Sequence, residues 1–210
     1  MARHDQKIPL KGRDILGKKA LVLGEAGAGK TALAARLLQE LMTLVRPERI
    51  TVIDLAPERT GEVGGKLRDY VNLADGVKYL SPKNVYTPRA AGKSPEQVLR
   101  YAELNRKNME PLLDWFTKNA TKVLVLNDLT LYLHLGKLEK IVKCTRLAET
   151  FLATAYYGSR LAEDLGTGIS STEKQMVDKL SVLMDLIIKI DPFGKSVEVH
   201  AVSPHKTDQG

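Results

Sequence analysis

The chain has 210 residues, 43% hydrophobic and 27% charged, a balance ordinary for one globular domain. Its one Cys excludes a disulfide framework and a thiolate zinc site, and fits a reducing compartment. No apolar run approaches the ~20 residues of a membrane span, and Met1–Lys7 lacks the apolar centre of a signal peptide, so a cytoplasmic protein with no membrane span is expected. Lys and Arg outnumber Asp and Glu by 32 to 25, giving +7 spread along the chain rather than gathered in a tail. Such a surface suits either solvated ion pairs or a polyanionic partner such as nucleic acid.

Residues 1–17 are polar and broken by Pro9, Gly12 and Gly17, and read as a basic N-terminal arm. A domain over 18–203 and a tail over 204–210 follow. Lys18 to Leu23 predicts a short strand of the buried parallel kind. Thr31 to Leu44 carries Leu33, Leu37, Leu38 and Leu41 at helical spacing, and Arg46-Pro47 stops it. Ile50 to Ile53 is a second buried strand ending in Asp54, and Val77 to Leu80 a short one. The glycine-rich stretch 61–66 faintly echoes the earlier glycine loop but lacks its Gly-Lys-Thr ending, so it is not a repeat.

Pro82, Pro88 and Pro95 punctuate a long loop before a helix from Glu96 to Lys118. Strand Val123 to Leu126 runs into Asn127-Asp128, and a helix spans about Lys137 to Glu149. Thr150 to Tyr156 could prolong that helix, but its Thr, Phe and Tyr content favours a strand. A helix from Thr172 to Met184, capped by Ser171 or Thr172, follows a polar loop. Leu186 to Ile190 and Ser196 to Val202, joined by Asp191-Pro192-Phe193-Gly194, predict a hairpin. Strands alternating with helices imply an α/β three-layer sandwich with a mainly parallel sheet, closed by this C-terminal β-hairpin.

Gly24-Glu25-Ala26-Gly27-Ala28-Gly29-Lys30-Thr31 fits G-x-x-x-x-G-K-[ST] and lies between a buried strand and a helix. Its glycines let backbone N–H groups wrap a phosphate at the positive end of the helix, a cradle running from Gly24 to Ala32. Lys30 would reach the β- and γ-phosphates, and the Thr31 hydroxyl would coordinate Mg²⁺. Trp115 beside Leu112, Leu113 and Phe116 reads as a core anchor, and Cys144 and the four histidines as structural. Arg89, Arg100 and Arg160 read as solvated.

The glycine run resembles the Walker A motif of P-loop NTPases, and the resemblance extends over about Lys18 to Val202. Val123 to Asp128 is similar to Walker B, except that Asn127 stands between the apolar run and the acid. Asp128 is therefore assigned to the Mg²⁺ side, acting through water. No GTPase base-reading motif is present: His205-Lys206-Thr207-Asp208 has the wrong first residue. The RecA/KaiC-like class fits better. There the resemblance implies a water-activating acid after the second strand, for which Glu58 is first candidate and Asp54 second. Asn127-Asp128-Leu129-Thr130 resembles the D-S-L-T of that class, and Asp185 to Ile190 its strand before the terminal hairpin. Lys206 matches a basic residue that reaches a neighbour's γ-phosphate, which implies a homo-oligomer with nucleotide at the subunit interface. The polar sensor usual after the fourth strand is replaced by Tyr157 and Ser159.

The resemblance implies a Mg²⁺-dependent, RecA-like ATPase coupled to nucleic acid, as a DNA-associated motor, a recombinase-like paralogue or a packaging ATPase of the related FtsK/HerA type; with no separate DNA-binding domain expected, its contacts would come from loops such as 81–95 and 159–171. Two alternatives stay open. One is a non-hydrolysing ATP-binding switch or assembly protein. The other is a small-molecule or nucleotide kinase using arginines 89, 100 and 106 as a lid.

Overall fold

The computed structural model describes residues 10–59 and 65–202. Seven strands form one sheet: β1 (Lys19–Gly24), β2 (Ile50–Asp54), β3 (Lys78–Leu80), β4 (Val123–Asn127), β5 (Thr150–Tyr156), β6 (Leu186–Ile190) and β7 (Val197–Ala201). Their order is β3-β2-β4-β5-β1-β6-β7. Every neighbouring pair is parallel except β6 and β7, which form the antiparallel hairpin. The fold class expected from the alternation of strands and helices is the one observed.

The central strands are buried on both faces, and their side chains sort by the two-residue period of a strand. On β1, Ala20 and Val22 face one core layer while Leu21 and Leu23 face the other. The first layer is closed by α2 (Lys30–Leu44), which buries Leu33, Leu37, Leu38 and Leu41. The opposite layer takes α4 (Pro95–Lys118), α6 (Leu138–Leu147) and α7 (Ile169–Ser181), with Met109, Phe116, Ile141 and Val177 against Leu124 and Leu126 of β4. Cys144 is buried there, and burial pushes its thiol up to about 12, so it packs as a small apolar residue.

Three stretches differ from the reading of the sequence. Residues 10–16, expected in the arm, pack on the body: α1 (Gly12–Ile15) lies against α2, with Leu10 and Ile15 buried. Glu40 accepts the Gly12 N–H at 2.6 Å and Arg36 donates to the Leu10 carbonyl at 2.9 Å. The long loop contains a helical turn, α3 (Pro88–Ala91), and Asn105 of α4 fixes Tyr86, two residues before it. Its side chain accepts from the Tyr86 N–H and donates to the Tyr86 carbonyl, both at 2.8 Å. Finally, α7 starts at Ile169 behind Gly168 (φ 77°), not at Ser171 or Thr172. Ile169 is buried and Asp164 accepts the Ser170 N–H at 2.9 Å, so a loop carboxylate does the work of a local cap.

Ile15→Ala should cost about 2–4 kcal/mol, the range for emptying a fully buried aliphatic site. The midpoint of urea unfolding reads this. A loss under about 0.5 kcal/mol would show that residues 10–16 contribute no core.

Candidate nucleotide site

The glycine loop leaves β1 and enters α2 at the carboxyl edge of the sheet, where parallel α/β folds gather their ligands. Gly27 and Gly29 take φ of 78° and 91°, the left-handed conformation that a Cβ would strain. A cavity of ≈ 260 Å³ opens beside the loop, lined by Gly27, Gly29, Lys30 and Thr31 on one side. Its other wall includes Arg89, Asp128, Thr130, His134 and Tyr156. Lys30 is turned back on its own loop, donating to the Gly24 and Glu25 carbonyls at 2.9 and 2.6 Å. Burial lowers its pKa, while Asp128, Glu25 and Glu173 pull it up. A phosphate entering the loop would replace those carbonyls as the lysine's partner.

Glu25, expected as part of the cradle, uses its side chain elsewhere. Its carboxylate accepts the Ser159 N–H at 2.6 Å and that of Arg160 at 3.3 Å, beyond the end of β5. Burial alone would raise this carboxyl, but those backbone donors and the Tyr156 hydroxyl outweigh it and hold it below the usual range. Gly158 leaves room for this arrangement, because a Cβ there would meet the Glu25 carboxylate and push it off those backbone donors. The phosphate loop is thereby tied to the segment where the sequence places Tyr157 and Ser159 instead of a sensor. Tyr157 itself turns outward to Asp178 at 2.9 Å.

The acids at the strand ends divide their roles differently from the expectation. Asn127, not Asp128, faces the phosphate loop: its Oδ1 accepts from Thr31 Oγ1 at 3.4 Å and from Thr154 Oγ1 at 2.8 Å. Its Nδ2 donates to Asp54 Oδ1 at 3.0 Å. Asp54 is completely buried and also accepts from the N–H groups of Ala56 and Leu67 and from the Tyr79 hydroxyl. With its lone pairs so engaged, it has no reach to a water in the cavity. Glu58 is 69% exposed at its side chain, pairs with Arg68 at 3.1 Å, and is not among the cavity's lining residues.

Asp128 does line the cavity. It adopts φ 57°, unusual for a residue with a side chain, and this turns the chain so that the residue after the strand faces inward. Its N–H donates to Thr154 Oγ1 at 2.8 Å and its carboxylate accepts from Thr130 Oγ1 at 3.0 Å. Burial pushes its pKa up, opposed by Lys30 and the Thr130 hydrogen bond. Among the described residues no group of three His, Cys, Asp or Glu side chains could cage a metal ion. Thr31 and Asp128, the oxygen donors that line the cavity, fit Mg²⁺ in its usual manner, in which one or two protein oxygens, water and substrate phosphates share the ion.

Arg89, read as solvated, is 7% exposed at its side chain and pairs with Glu173 inside the cavity wall. His134 joins the same carboxylate at 2.7 Å. Neither had a sequence signal, since Arg89 and Glu173 lie 84 positions apart. Arg100 and Arg160 are exposed, and Arg106 is held along α4 by Glu103 and Glu110, so arginines 89, 100 and 106 do not assemble into a lid. Lys206 lies outside the described residues.

A glycine loop feeding a helix at the carboxyl edge of a parallel sheet, with Lys30 and Thr31 at its end, defines a P-loop nucleotide-binding fold. The chain belongs to the family described as the central domain of helicase HerA, which matches residues 1–204 and is a family of P-loop ATPases. Among solved structures it is similar to the flagellar accessory protein FlaH from Methanocaldococcus jannaschii, at 14% identity and a TM-score of 0.43 over 82% of this chain and 70% of that one. A second similar structure is the Project ID PH0250 protein from Pyrococcus horikoshii OT3, at 11% identity and a TM-score of 0.43 over 93% of this chain and 99% of that one. No curated protein matches the chain.

Asn127→Asp should set two carboxylates against each other in a buried site and cost on the order of 2–3 kcal/mol. Asp54→Asn in the same chain should recover much of that loss, because a donor again faces an acceptor. Urea unfolding of the two single variants and the double variant measures the coupling; strictly additive losses would disprove it.

Proposed function

We propose that the protein binds ATP with Mg²⁺ and hydrolyses it, in the service of work on nucleic acid. The observation that carries this reading is one cavity holding the phosphate loop, Lys30, Thr31 and the buried acid Asp128. Backbone N–H groups of Gly27 to Thr31 would hold the phosphates, and Lys30 would neutralise charge on the β- and γ-oxygens. The Thr31 hydroxyl would hold Mg²⁺, which when bound would supply charge neutralisation for the phosphates. Thr31 lines the cavity, and Asn127, buried behind it, accepts from its hydroxyl. Asp128 takes the role first given to Glu58, orienting and polarising the attacking water.

The nucleic-acid part rests on the net charge of +7 and on the family's description as a helicase. The proposed contacts are loops 81–95 and 159–171, and the proposed assembly is a homo-oligomer with Lys206 reaching a neighbour's nucleotide. A cytoplasmic setting belongs to the same reading; no helix among the described residues is long and apolar enough to cross a membrane. One observation favours a slower, switch-like protein. The residue against Thr31 is the neutral Asn127, so the site has less charge to hold Mg²⁺ than a carboxylate there would give.

Phosphate release from ATP and GTP, with Mg²⁺ and with or without single- and double-stranded DNA, tests the reading at several protein concentrations. Lys30→Ala and Asp128→Asn should each lower kcat by about a hundredfold or more, while Glu58→Gln changes it little. Loss in Glu58→Gln with normal turnover in Asp128→Asn would return the water-activating role to Glu58. Tight ATP binding with negligible turnover, indifferent to DNA, would establish the switch instead.

A further inference from the structure

The cavity contains a second cation whose ion pair leaves half of its binding edge open. Arg89 meets Glu173 end-on: Nη1 donates to Oε1 at 3.1 Å and Nη2 to Oε2 at 2.9 Å. Nη1 also reaches Ser170 Oγ at 3.4 Å. A guanidinium has five N–H donors in a fixed plane. The Nε–H and the second Nη2 hydrogen have no partner among the described residues, and together they form the side-on fork that matches a pair of phosphoryl oxygens.

The guanidinium is fixed in this pose. Glu173 is 3% exposed at its side chain, and its Oε2 also takes the Nε2 of the fully buried His134. The Nδ1 of His134, a residue that itself lines the cavity, is buried with no hydrogen-bond partner among the described residues. Lys30 is near: Lys30 Nζ and the Arg89 guanidinium lie 5.9 and 5.1 Å from the centroid of the same Tyr156 ring. A structural clamp between α3 and α7 would need only the Glu173 pair. It would not need the guanidinium on the cavity wall beside the phosphate-loop lysine.

We infer that the open Nε–Nη2 edge of Arg89, held by Glu173 and His134, receives a phosphoryl group, namely the terminal phosphate of the nucleoside triphosphate bound to the same chain's phosphate loop. This rests on the nucleotide reading above and assigns it a cation that the chain supplies to itself, from α3, without a neighbouring subunit. Because the Glu173 pair uses the other edge, phosphate docks without leaving a buried carboxylate unpaired. A diphosphate would leave the edge empty, so Arg89 distinguishes the two nucleotide states and passes the difference to Glu173 and His134.

The test is calorimetric titration of Mg²⁺-AMP-PNP and Mg²⁺-ADP into the wild type and Arg89→Lys, with thermal unfolding confirming that the variant folds. Lysine keeps the charge but loses the fork, so AMP-PNP affinity should fall about tenfold and ADP affinity less than about twofold. Equal losses for both nucleotides, or none for either, would overturn the inference. The wild type supplies a second readout should the variant not fold. The His134 imidazole nitrogen signals should move on AMP-PNP and stay in place on ADP, and identical shifts with both would overturn it. Inorganic phosphate separates the two sources of a phosphoryl group. A His134 shift with phosphate alone and none with AMP-PNP would show a free-anion site and overturn the assignment to nucleotide. Failure of the wild type to bind either nucleotide would overturn the P-loop reading itself, and this inference with it.

Discussion

A fully buried carboxylate at the end of β2, Asp54, faces the side-chain amide of Asn127 at the end of β4, and the nucleotide end of the sheet is organised around that contact. Asp54 accepts four hydrogen bonds, from Asn127, Ala56, Leu67 and Tyr79, and the buried Lys66 lies close enough for its ammonium to feel the charge. A carboxyl group at this depth is tolerable only with its lone pairs so engaged. The contact also fixes the amide. Nδ2 must point at the acid, so Oδ1 is presented to the hydroxyls of Thr31 and Thr154. A carboxylate at position 127 could not donate to Asp54, which gives a physical reason for Asn where a Walker B strand usually ends in Asp.

The acid then falls one residue later, and the backbone adapts to use it. Asp128 reaches the cavity by adopting a positive φ, secured by hydrogen bonds to Thr154 and Thr130. Strain of this kind persists where surrounding contacts determine it. Glu25 performs a comparable service on the other side of the loop. Its carboxylate caps the backbone of residues 159–160, joining the phosphate loop to the strand beyond it, and the absence of a side chain at Gly158 leaves it room.

The two walls of the cavity differ in how they could be read. The phosphate-loop wall is local: Gly24 to Thr31 carries its whole geometry in eight consecutive residues, and its helix follows at once. The facing wall is assembled from α3, the turn after β4 and the end of β5, with Glu173 of α7 holding Arg89 from behind, segments that are distant in sequence and adjacent only in the fold. Arg89, His134 and Glu173 were accordingly invisible as a group. Arg89 looks like any surface arginine until Glu173 is brought to it. The same reasoning covers Glu58, whose place in an acidic stretch resembled a catalytic segment, while its side chain turns out to Arg68.

Sequence determined what depends on neighbours along the chain. The continuous apolar run of Ala20 to Leu23 and the helical spacing of Leu33 to Leu41 set the elements, and the alternation of strands and helices set a parallel sheet with a closing hairpin. The glycine motif set a phosphate-binding loop, because φ > 0 at Gly27 and Gly29 is a local requirement. Tertiary structure alone decided that residues 10–16 join the core, that α7 begins at Ile169, and that Asn127 faces Thr31 while Asp128 faces the cavity. The placements of residues 10–16, Asn127 and Asp128 turn on partners 26 or more residues away, and the start of α7 on the burial of Ile169 and on Asp164 in the preceding loop. A buried polar group takes whichever distant donor or acceptor the packed sheet brings within reach, and no local pattern encodes that choice.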